Sequence, residues 1–132
     1  SMAMKVALTS ELDLDEGELM LMVTAMRRGG VDVATGDKRA IRSLPGLEAN
    51  WPEIGALREH IVCLEQLFDQ LAAKHGLARV RKAVTTSPRA DEAIAVVYEQ
   101  TNSGGVRRFQ QGLDLVIEHH IRRPAPGWLK PL

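Results

Sequence analysis

The stretch Val31-Asp-Val-Ala-Thr-Gly-Asp-Lys-Arg-Ala40 decides the fold. Val31–Thr35 is short, apolar and rich in β-branched residues, which predicts a strand. Gly36-Asp37 then turns the chain into a brief helix, Lys38 to Leu44, expected to end before Pro45-Gly46. Upstream, Leu12 to Glu18 supplies helix-start chemistry. Asp13 and Asp15 can cap, and Glu16 and Glu18 fall in the first turn, where carboxylates meet the positive end of the helix dipole. Leu19-Met-Leu-Met-Val-Thr-Ala-Met26 follows, apolar on every side, and predicts a buried helix filled by Met20, Met22 and Met26. Arg27-Arg28 close its last turn and Gly29-Gly30 stop it. With Lys5–Thr9 as a further short strand, the first forty or so residues read as a β-α-β unit.

Downstream, Asn50-Trp51-Pro52 opens another helix with proline suited to its first position. His60-Ile-Val-Cys-Leu64 reads two ways, as part of one long helix to Gly76 or as a buried strand before a helix from Glu65 to His75. Helices are then expected over Leu77–Val84, over Arg89–Gln100 behind a Ser87-Pro88 cap, and over Phe109–Ile121, which Pro124 halts. The residues from Pro124 to Leu132 are proline-rich and expected to be extended. The fold class predicted is α/β: a small parallel sheet with crossover helices, followed by a helical C-terminal region. The expected divisions are residues 4–76, 77–123 and a tail of 124–132.

Composition sets outer bounds. At 132 residues with 45% apolar and 26% charged side chains, the chain is a globular domain of ordinary size. Seventeen basic residues balance seventeen acidic ones, so bulk charge alone holds it to neither nucleic acid nor an anionic membrane. The distribution is uneven: five acids crowd Glu11–Glu18, whereas Lys74–Arg89 carries five bases and no acid. Its longest uncharged stretch in the first half, Leu19–Met26, is well short of a membrane span. The single cysteine, Cys63, fits a reducing compartment and the expectation is a cytoplasmic protein. Cys63 itself reads as a small buried hydrophobe, although His60 stands at a metal-like spacing from it.

A parallel β-α-β unit gathers the C-terminal ends of its strands and the adjoining loops at one edge, where open α/β folds bind ligands. Asp37 lies two residues past Thr35, and Glu18 opens the crossover helix, so both carboxylates fall near that edge. Clustered carboxylates with water ligands suit hard divalent cations such as Mg²⁺, which can stabilise the oxygens of a reacting phosphodiester.

Leu14-Asp-Glu-Gly-Glu18, the apolar helix through Met26, the Gly-Gly turn and Val33-Ala-Thr-Gly-Asp-Lys-Arg-Ala40 together resemble the second half of a PIN-like domain, over about residues 12–70. That family consists of metal-dependent ribonucleases, many of them toxins of bacterial toxin–antitoxin pairs. The resemblance implies that Glu18 and Asp37 are catalytic metal ligands for Mg²⁺ or Mn²⁺, with Asp15 a further ligand. It implies Thr35 as a supporting residue and Lys38 and Arg39 as contacts to RNA phosphate. It also fits Ile61–Leu67 as the family's final strand and helix. The family's first acid ends a strand well upstream of the Gly-Glu, and no Asp follows Lys5–Thr9 here. The chain therefore reads as the C-terminal part of a longer domain or as a shortened relative.

Other readings stand beside these. Glu16 and Glu18 are also what a helix dipole selects, and Asp37 what a turn before a helix selects. The rival from another class is a non-enzymatic module whose helical second half binds a protein partner or self-associates. No phosphate loop or catalytic triad is identifiable.

Overall fold

The computed structural model describes residues 15–86 and 105–132. The expected strand at Lys5–Thr9 and the expected helix at Arg89–Gln100 lie outside these residues. The architecture is mixed α/β, mostly helical, with one two-stranded parallel sheet. In chain order it runs α1 (Glu16–Arg28), β1 (Val33–Thr35), α2 (Lys38–Asn50), a 3₁₀ helix (Pro52–Leu57), β2 (Ile61–Cys63), α3 (Leu64–His75), α4 (Leu77–Thr86), α5 (Gly105–Ile117) and a π-helical turn (Glu118–Arg122). The chain divides into two compact units, Ser1–Cys63 with His120–Leu132, and Leu64–His119. The helix after β2 thus belongs with the later helices and not with the sheet.

In the first unit α1 starts on a capping box. The Asp15 carboxylate accepts from the Glu18 amide at 2.8 Å while the Glu18 carboxylate accepts from the Asp15 amide at 3.4 Å. It ends where expected, at Gly29, whose φ of 69° suits glycine. Its buried side is Leu19, Met22, Val23 and Ala25. The expectation of an all-round buried helix is corrected here, because Met20 and Leu21 are 52% and 59% exposed. Two-sided burial needs a second covering layer, and none packs on that face among the described residues.

β1 pairs with β2 in parallel, Val33 opposite Ile61 and Thr35 opposite Cys63. The strand reading of His60–Leu64 therefore holds for Ile61–Cys63, with Leu64 already the first residue of α3. All three β2 residues are buried, and a continuous apolar run is what a strand covered on both faces needs. The crossover between the strands is α2 plus the 3₁₀ helix. The expected stop before Pro45 is also corrected: α2 continues through Pro45 to Asn50. Proline forfeits one backbone bond, but Ile41, Leu44 and Leu47 recur at helical spacing and are each 0% exposed. Their burial outweighs the lost bond.

The C-terminal residues close the other edge of β2. Ile61 donates to the Trp128 carbonyl at 3.2 Å and accepts from the Lys130 amide at 2.7 Å, so Leu129 bridges to Ile61 as a parallel extension of the sheet. Trp128 is fully buried, with the Arg58 guanidinium 4.6 Å above its ring and held by Glu48 at 2.6 Å. Asp32 ties the segment down from the β1 side. Its carboxylate accepts from Lys130 and pairs with His60 Nδ1 at 3.0 Å. His60 is thus engaged with Asp32, and Cys63 is buried, as its reading predicted.

In the second unit Ala72, Val80, Phe109 and Leu113 form a core that Leu64, Phe68, Leu77 and Val116 flank. No helix among the described residues is long and apolar enough to cross a membrane.

Candidate functional site

The site is built at the Thr35 end of β1. Thr35 is the last residue of the strand, and its hydroxyl performs two jobs. It accepts from the Asp37 amide at 3.1 Å, which shapes the turn into α2, and it donates to Glu18 Oε1 over a long 3.5 Å. Asp37 is the N-cap of α2. Its Oδ1 accepts from the Arg39 amide at 2.9 Å and the Ala40 amide at 3.2 Å.

The carboxylates of Glu18 and Asp37, nineteen positions apart in sequence, therefore share one rim. Burial holds the Glu18 carboxyl above its ordinary range, the charge of Asp37 pushes it the same way, and Asp15 adds to it. The Asp15 amide works in the opposite direction by bonding the ionised form. A side-chain hydrogen bond with Asp37 acts in the same upward direction. Two like charges in hydrogen-bonding range are favoured only with a shared proton or a cation between them.

Asp15 is exposed and its Oδ1 serves as the α1 cap, with its charge felt at Glu18. Glu16 is exposed on the first turn of the same helix. Lys38 and Arg39 open α2, Lys38 half-buried and Arg39 exposed. The structure thus brings together Glu18, Thr35 and Asp37, with Asp15 beside them. The reciprocal Asp15–Glu18 capping box was missed in the sequence, although Asp-x-x-Glu ahead of an apolar run is its signature.

Among the described residues no group of three or more His, Cys, Asp or Glu side chains is arranged to hold a metal ion. Two carboxylates remain a sufficient protein contribution for Mg²⁺, which keeps several of its waters and takes one or two carboxylates. Two further carboxylates approach each other in the second unit. Burial, then the charge of Asp114, raises the Asp69 carboxyl above its usual range.

No protein-family model matches the chain, and no curated protein or solved structure shows significant similarity to it.

Proposed function

We propose that the Glu18–Asp37 pair is a divalent-cation site, for Mg²⁺ or Mn²⁺, of the kind used by PIN-like ribonucleases, and that its chemistry is phosphodiester hydrolysis in RNA. The observation that supports this reading is the meeting of two carboxylates at the C-terminal end of a parallel strand, one of them raised by burial and then by its neighbour's charge. A bound cation supplies Lewis-acid polarisation and a more acidic water. The chain's own residues would do the rest. Glu18 and Asp37 hold the charge, Thr35 aims Glu18 Oε1, and Arg39 on the first turn of α2 offers an exposed guanidinium to a phosphate.

The test separates this site from mere helix capping. Asn caps a helix as well as Asp, and Gln serves in a capping box, so Asp37→Asn and Glu18→Gln keep the backbone bonds and lose the charge. Wild type should gain thermal stability with millimolar Mg²⁺ or Mn²⁺, by about 2.7 kcal/mol at a hundredfold excess over Kd. Both variants should lose that gain. Metal-dependent cleavage of RNA that disappears in Asp37→Asn completes the reading. Absence of any metal-dependent shift, or cleavage indifferent to both substitutions, would leave an interaction module in its place.

A further inference from the structure

Two segments that carry bases and no acid are docked on one another within the first unit. One is the opening of α2, where Lys38, Arg39 and Arg42 precede the first acid, Glu48. The other starts at the end of the π-helical turn. From His120 to Leu132 the chain has His120, Arg122, Arg123 and Lys130 and neither Asp nor Glu. Lys130 is drawn to Asp32. Arg42 joins the two segments across 78 positions by donating through Nη1 to the His120 carbonyl at 3.2 Å. A guanidinium has five N–H donors, and this bond occupies one of them. Arg39 and Arg42 are three residues apart and so neighbours on the surface of α2. They lie about 3 and 7.5 Å along its axis from the Asp37 cap.

The turn is anchored, unlike a frayed helix end. Ile121 is fully buried between the exposed His120 and Arg122, Ala125 is 1% exposed, and the Ala125 amide donates to the Ile121 carbonyl at 2.8 Å. Buried anchors flanked by exposed cations hold those cations in place, which lowers the ordering cost of binding an anion. π-helical turns are rare and recur at functional sites. The rim one turn away has the opposite sign: Asp15, Glu16, Glu18 and Asp37 repel any phosphate that approaches it. Cations beside the rim offset that repulsion and raise the local concentration of a polyanion. We propose that Arg39, Arg42 and Arg122 form a tract for the phosphate backbone of single-stranded RNA, alongside the Glu18–Asp37 rim; the choice of RNA rests on the phosphodiester reading of that rim. Arginine contacts to phosphate position a strand without reading its bases, so the tract is indifferent to sequence.

Anisotropy of a fluorescein-labelled oligouridylate, titrated with the full chain in EDTA at several salt concentrations, tests binding with no metal and no cleavage. Each phosphate contact to a single strand adds about 0.7 to the salt slope, so three contacts give a slope of about 2. Arg122→Gln should lower it by about 0.7 and weaken binding about fivefold at about 0.1 M salt. Arg39→Gln with Arg122→Gln should lower it by about 1.4 and weaken binding about 25-fold. Both positions are exposed, so far-UV circular dichroism should not change. Arg122→Lys should keep the wild-type slope. Lys74→Gln with Arg79→Gln removes as much charge from the basic segment of the second unit and should leave the slope as it is. Three results would overturn the proposal. One is no binding up to about 0.1 mM protein, the weak end of non-specific affinity. Another is a slope indifferent to the Arg39 and Arg122 substitutions. The last is an equal loss from the Lys74 and Arg79 pair, which would make the effect one of bulk charge. The catalytic reading fails separately. RNA held in EDTA through Arg122 but cleaved with no metal would end hydrolysis and keep the tract, whereas Asp37-dependent cleavage with a KM that Arg122→Gln does not raise would end the tract and keep hydrolysis.

Discussion

Glu18 takes part in three local relationships at once: capping box, hydroxyl contact and like-charge neighbour. Burial, and after it the like charge of Asp37, disfavours the ionised form, and the effect has a definite sign. A carboxyl whose folded value is raised contributes stability that is fully present below its ordinary 4.5 and is lost as pH rises through the folded value. Without divalent ions, Glu18→Gln should therefore melt above wild type at neutral pH, and the difference should vanish on acidification. Carbon-detected NMR titration of the side chain gives the companion measurement. The Glu18 midpoint should fall toward the ordinary value in Asp37→Asn. This pair was legible in the sequence because strand, turn and cap residues lie in one short unit whose geometry is nearly fixed by local chemistry. The Asp32 contacts to His60 and Lys130 were not legible, since those partners lie 28 and 98 positions away and no local pattern encodes them.

At the scale of elements, α1 was readable from its caps, whereas α2 outran its sequence signal. Proline was given its ordinary weight as a terminator, and the burial of Ile41, Leu44 and Leu47 carried the helix past it. Burial of that kind is a property of the neighbours, not of the segment. Pro45→Ala should restore the missing bond to the Ile41 carbonyl. A gain of about 1–2 kcal/mol in denaturant unfolding is expected, after part of the helix benefit is offset by the freer unfolded chain. The ambiguity at His60–Leu64 was settled the same way, by a partner strand that lay some thirty residues earlier.

At the scale of the molecule the C-terminal segment departs most from its reading. Proline-rich composition predicted an extended tail; Ala125, Trp128 and Leu129 are instead buried at 1%, 0% and 8%. Residues 123–127 turn, and only from Trp128 does the chain run along β2, where it docks as a sheet edge because Trp128 has a large apolar surface to bury and Arg58 to lie against it. Trp128→Ala should cost about 3–5 kcal/mol in chemical denaturation. Lys130 and His60 hold the Asp32 carboxyl below its ordinary 3.8, so its contribution is present above that pH and is lost as the pH falls through the folded value. Asp32→Asn should lower the melting temperature near neutrality, and the two proteins should converge in acid.

Because Leu129 completes the sheet begun at Val33, the first unit is interrupted by the whole of the second. Translation proceeds from the N-terminus, and units tend to fold as they emerge. The intervening residues are thus already synthesised while β2 still awaits its bridge to Leu129, so the part encoded first is the part finished last.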